Sequence, residues 1–131
     1  MNSDWPISYR FLRANGVSQL VPWHFFEENE GHRINGVFAT ESIEEIRIKT
    51  FAYRQDCDDF AAFVVNENSI TDEVIYFHPS FAGAKNSHLI NGRFRNLYTF
   101  ISEVVFPDSE DWTSEEAIED LLKNPARRDP S

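Results

Sequence analysis

The chain has 131 residues, 41% of them hydrophobic and 15% aromatic, with 12 Lys and Arg against 22 Asp and Glu for a net charge of −10. That length fits one domain, the aromatic load supports a packed core, and the charge repels a phosphate backbone, which argues against direct nucleic-acid binding. Cys57 is the only cysteine, so no internal disulfide can form, and no apolar run approaches the ~20 residues of a membrane span.

In chain order, Met1 to Pro6 lacks a basic segment followed by an apolar run, so no signal peptide is expected and the expected location is cytoplasmic. A first helix is predicted to begin near Trp5-Pro6, with Asp4 or Ser3 near enough to cap it and Pro6 tolerated in its first turn. Ile7, Phe11 and Ala14 share one side of it, and Asn15-Gly16 supplies a residue that takes φ > 0 and ends it. A short helical turn is predicted from Pro22 to Glu28, carrying Trp23 and Phe26. Beyond Asn29-Glu30-Gly31 the period changes to two. Val37-Phe38-Ala39 reads as a strand, and Ile46 to Phe51 alternates apolar and polar residues as a half-buried strand does. Phe60 to Val65 and Val74 to Phe77 are continuous apolar runs separated by the turn formers Asn66-Glu67-Asn68-Ser69. They read as neighbouring antiparallel strands covered on both faces. Residues 79–95 form a long connection that can hold one further short strand.

The carboxy-terminal part reads as helical. Leu97, Phe100, Ile101, Val104 and Val105 form a stripe that faces a core, with Asn96 as the cap and Pro107 as the stop. Thr113 and Glu116 pair as a capping box, with Trp112 stapled onto Ala117. Ala117, Ile118, Leu121 and Leu122 form the buried face of a final helix. Residues 125–131 have little to bury and are expected to fray. The prediction is a single α+β domain over residues 1–124, an antiparallel β-meander of about four to six strands flanked by amino-terminal and carboxy-terminal helices.

The most conspicuous local cluster is Arg54-Gln55-Asp56-Cys57-Asp58-Asp59, between two predicted strands. Its three carboxylates do not make a calcium loop: counted from Asp56, Phe60 falls on a ligand position and Ala61 on the obligatory glycine. The turn reading has the aspartates accepting backbone N–H bonds while Arg54 neutralises part of the charge; the binding reading has them meet a partner. Cys57 beside carboxylates is a poor nucleophile, because negative neighbours raise a thiol's pKa. His24, His32, His78 and His88 have no zinc-ligand spacing, and Gly83-Ala84-Lys85-Asn86-Ser87 lacks the spacing of a phosphate loop. No catalytic residue, metal ligand or cofactor is assigned. Seven carboxylates crowd the stretch from Asp108 to Asp120, and several are read as complementing the start of the last helix.

Three segments together resemble the SUKH superfamily, which includes the yeast cell-wall-assembly regulator and many bacterial toxin-immunity proteins. They are Leu20-Val21-Pro22-Trp23, Gly31-His32-Arg33-Ile34-Asn35-Gly36-Val37, and Phe51 to Phe63, whose order F-A-x-R-x-D-x-D-D is similar to the family's central segment. A closing run with Tyr98, Phe100 and Phe106 is similar in character. The resemblance implies a non-catalytic binding domain, and Arg54, Asp56, Asp58 and Asp59 match its central motif. With the net charge, it leads to an immunity protein that neutralises a basic toxin such as a nuclease through an acidic surface. The alternative is a small-ligand or peptide-binding regulatory domain of the same fold. Partner-binding residues are expected among Trp23, Arg54, Asp56, Asp58 and Asp59, and oligomeric state is left open.

Overall fold

The computed structural model describes residues 4–123, so Ser3 and the segment 125–131 lie outside the described residues. Helix α1 (Ile7–Ala14) leads into strands β1 (Gln19–Leu20) and β2 (Trp23–Phe25), then helix α2 (His32–Glu41). Strands β3 (Arg47–Arg54), β4 (Phe60–Asn66), β5 (Ser69–Phe77) and β6 (Ile90–Phe94) follow. A helical rod closes the chain as α3 (Leu97–Phe100), a π-helical turn (Ile101–Val105) and α4 (Phe106–Trp112), and α5 (Glu115–Lys123) comes after it. The six strands form one antiparallel sheet in sequence order, β1 to β6. The α+β class and the meander are as expected.

The sheet is apolar on both faces, and each face has its own cover. On one face Phe25, Phe51, Phe63 and Val74 pack under Trp5 and Tyr9 from the amino-terminal region and Leu97, Phe100, Ile101 and Val105 from the helical rod. On the other, Ile48, Phe60, Ala62, Ile75 and Phe77 pack under Ile34 and Phe38 of α2 and Leu89 of the β5–β6 connection. Tyr9 is central to the first layer. Its ring lies 5.4 Å from Phe51 and 5.8 Å from Phe63, edge-on to both. Its hydroxyl donates to the carbonyl oxygens of Phe26 at 2.5 Å and Phe51 at 3.2 Å. Burial, the largest influence, pushes the Tyr9 hydroxyl far above its ordinary pKa, so it stays a donor.

Helix α1 ends as expected, in a Schellman motif. Gly16, at φ +83, donates to the Arg13 carbonyl, and Val17 donates to that of Leu12. Its start and its face differ from expectation. Pro6 itself takes the cap position, and no side chain caps the helix. Ile7 and Phe11 are 72% and 63% exposed, while Trp5, Tyr9 and Leu12 turn inward. Two stripes share this helix, and the inward one, Tyr9 with Leu12, is joined by the Trp5 ring just before the helix; together they remove more area from water.

Three further expectations are corrected. Pro22 to Glu28 is no helical turn: Trp23 and Phe25 alternate inward as strand β2, a period of two that the spacing of Trp23 and Phe26 hid. Val37 to Ala39 is no strand but the middle of α2, whose buried residues Ile34, Phe38 and Glu41 fall at i, i+4 and i+7. Asn35 ties α2 to β3 by accepting from the backbone N–H and hydroxyl of Thr50, where the β3–β4 register shifts. Gly31 allows that approach, because a Cβ there would meet the Thr50 carbonyl oxygen at 2.5 Å. Nor does Pro107 stop the helix. The rod runs through it after a widened turn in which the Phe106 N–H reaches back to the Ile101 carbonyl. A π turn of this kind accommodates a residue that cannot donate.

Asn96 caps α3 as expected, its Oδ1 accepting from the Thr99 N–H at 2.9 Å. The last cap falls one residue later than predicted. The Thr113 N–H still closes α4 onto Glu110, and Ser114 Oγ accepts from Ala117 at 3.0 Å.

Tyr9→Phe keeps the ring contacts and removes only the hydroxyl. It is expected to lower unfolding free energy by about 1–2 kcal/mol in urea titrations, with the slope unchanged.

Candidate functional site

The end of the sheet where β3 turns into β4 gathers most of the expected residues. Arg54 closes β3, and its Nε donates to Asp56 Oδ1 at 2.7 Å within the turn. Its Nη1 reaches Asp108 Oδ2 on α4 at 3.3 Å. The same Asp108 oxygen accepts from the indole N–H of Trp23 at 2.9 Å. One carboxylate therefore joins β2, β3 and the helical rod. The Trp23 ring is fully buried between Tyr76 and Phe100, edge-on to both, and presents only its N–H to this network. Asp56 and Asp58 are exposed.

Asp59 opens toward β5. Its two carboxylate oxygens accept from the Tyr76 hydroxyl and from His78 Nδ1, each at 2.6 Å. Since a carboxylate only accepts, Nδ1 carries the His78 proton. The Asp59 backbone carbonyl accepts from the Arg54 N–H at 2.9 Å. Burial first, then the charges of Asp59 and Asp56, push Cys57 up to about 11, so at neutral pH the exposed sulfur is a thiol. Tyr76 is raised too, by burial and then by its bond to Asp59. A carboxylate shared by a phenol and an imidazole fastens this turn to the end of β5. Arg54 neutralises Asp56 inside the turn as the turn reading has it, whereas Asp59 gives its carboxylate to side chains of the β5 end rather than to backbone N–H groups.

A second polar centre was not anticipated. Glu41, at the end of α2, is 1% exposed. Its carboxylate accepts from the backbone N–H groups of Ser80 and Phe81 at 2.8 and 2.7 Å, from Ser80 Oγ at 3.2 Å and from Asn86 Nδ2 at 3.3 Å. Its backbone carbonyl accepts from the Asn86 N–H at 2.9 Å. Burial opposes ionisation, but the hydrogen bonds outweigh it and hold the carboxyl below its ordinary value. The residue fixes the β5–β6 connection over the second core layer. Nothing local in the sequence signals it, because its partners lie 39 to 45 residues away.

The third feature lies on α4 and α5. Residues 106–123 hold seven carboxylates against one cation, Lys123, a net −6 out of the chain's −10. The structure corrects the view that these charges chiefly complement the start of the last helix. Only Glu115 and Glu116 occupy the first turn of α5. Glu110 and Asp111 sit in the last turn of α4, where the helix dipole presents its negative end and no basic residue offsets them. Neither helix has a fully buried residue. The expected buried face of α5 is half open: Ala117 and Leu121 are partly covered, whereas Ile118 and Leu122 are 47% and 64% exposed.

Among the described residues no cluster of three or more His, Cys, Asp or Glu side chains could hold a metal ion, and no helix is long and apolar enough to cross a membrane. Compared with protein-family models, curated proteins and solved structures, the chain gives no match.

Two outcomes test these assignments. Cys57 is expected to resist alkylation at pH 7 despite its exposure, with the rate climbing as pH approaches 11, and Asp59→Asn should shift that rise to lower pH. For Glu41 the folded pKa is lowered, so its stabilisation is complete above the ordinary value of 4.5 and is lost as pH falls through the folded value. Glu41→Gln should therefore cost roughly 2–3 kcal/mol near neutrality, with the gap to the parent narrowing in acid denaturation profiles.

Proposed function

We propose that this chain is a non-catalytic protein-binding domain of SUKH type, an immunity protein that neutralises a basic toxin, such as a nuclease, on the acidic helices α4 and α5. The observation that carries this reading is the position of Glu110 and Asp111. Local stability would favour cations at the end of a helix, so these two charges work against their own helix. They lie on a segment that neither core layer needs, beside further exposed carboxylates at Glu115, Glu116 and Glu119. A surface of this kind draws in a basic partner and makes the encounter rate fall as salt screens it. The engagement of both Asp59 carboxylate oxygens and the protonated thiol of Cys57 support a role without bond-breaking chemistry. Of the expected partner-binding residues, Asp58 and Asp56 are exposed enough to meet a partner, whereas Trp23, Arg54 and Asp59 serve the sheet end.

A second reading, a peptide-binding regulatory domain of the same fold, draws on the apolar groove beside α5.

The test is co-production with a basic nuclease toxin encoded alongside the chain, read as restored growth and as association kinetics over a salt series. Glu110→Lys combined with Asp111→Lys is expected to raise stability by about 0.3–1 kcal/mol per charge, because the dipole now favours each residue. The same variant should bind the toxin more slowly and with weaker salt dependence. Unchanged association in that variant removes the acidic helices from the interface.

A further inference from the structure

We infer that the groove between the β1 edge and α5 docks a short, basic amphipathic helix of a partner protein, an inference that rests on the protein-binding reading above. Two cavities, of about 420 and 110 Å³, share Val21, Ser109 and Leu121 and so form one channel. The stretch from Gly16 to Val21 makes one wall, and Trp112, Ala117 and Ile118 make the other. Ala117, Ile118, Leu121 and Leu122 recur at helical spacing, the pattern that elsewhere in this chain is pressed into a core. Here the stripe stays open, with Ile118 and Leu122 about half to two-thirds exposed.

Three features select the occupant. The nine residues of α5 make a wall of about 13 Å, long enough for two turns or so of a helix laid against it. Strand β1 has only two residues, so its edge offers too few main-chain groups to hold an added strand. Charge decides the rest. Glu110, Asp111, Glu115, Glu116 and Glu119 are exposed on the two helices that build the wall. An acidic helix, or a second copy of this chain, meets repulsion there, whereas Lys and Arg flanking an apolar stripe meet attraction. Apolar anchors at i, i+3 or i+4, and i+7 enter the channel while the basic flanks face these carboxylates.

The probe is a synthetic helical peptide with Leu at those spacings and Lys elsewhere, titrated against the full chain at low salt. Trp112 lines the groove, whereas Trp5 and Trp23 are buried, so tryptophan emission gives a second readout. The expected result is saturable binding with a blue shift, and no binding by the same peptide with Glu in place of Lys. The double variant Ile118→Asn, Leu122→Asn changes exposed positions, and circular dichroism checks its fold. It should bind about tenfold more weakly or worse, since Ile118 is lost from the groove wall and Leu122, one turn on, from the exposed apolar stripe beside it. No binding by the Lys peptide, or equal affinity for the double variant, overturns the groove. Salt-sensitive binding that ignores the double variant overturns the groove and leaves the acidic-surface reading standing. Binding that depends on Ile118 and Leu122 but ignores salt keeps the groove and removes that reading.

Discussion

Strand β4 is apolar on both sides, and that constraint organises the molecule. Phe60, Ala61, Ala62 and Phe63 are all buried, so water must be kept from both faces of the sheet at once. One cover is assembled from the two ends of the described chain, Trp5 and Tyr9 meeting the rod at Leu97 to Val105. The other is α2 with a loop, and a loop covers a core only if its backbone groups are satisfied. Glu41 meets that requirement. By receiving the N–H groups of Ser80 and Phe81, it turns a connection without regular structure into a fixed lid.

Once both faces are covered, α4 and α5 are surplus to the core. The sheet end fastens α4 through Asp108, which takes the Trp23 N–H and meets Arg54. Beyond that anchor the two helices carry charge and apolar side chains on positions where stability asks for neither. The residues that hold the fold together and those that offer themselves to solvent are thus divided between different elements, apart from the shared junction at Asp108.

The strands β3, β4 and β5 were legible because burial leaves a direct mark, alternation in β3 and a continuous apolar run in β4 and β5. Strand β3 is nonetheless covered on both faces, Phe51 in one layer and Ile48 in the other, rather than half-buried. Misreadings arose where one segment carried two periods. Ile7 with Phe11 and Tyr9 with Leu12 are both helical stripes, and only the sheet decides which turns inward. Val37-Phe38-Ala39 is too short a run to tell strand from helix, and its helical partners Ile34 and Glu41 lie outside it. At the candidate site, the pairing of Arg54 with Asp56 inside the turn could be read from residue type and position. The joining of Asp108 to Trp23 across 85 residues, and of Glu41 to its lid, could not, because no local pattern encodes a partner so distant.

The order of the strands in space equals their order along the chain. Each neighbouring pair from β3 to β6 therefore closes through its own hairpin or a connection of modest length, with little chain entropy lost at each step. Such a topology builds its sheet from pairings close in sequence, which is the arrangement that keeps contact order down. Contacts spanning the longest separations, the Asp108 junction among them, have the largest loop to close. They carry the largest closure cost in the fold, and the sheet supplies the template on which that cost is met.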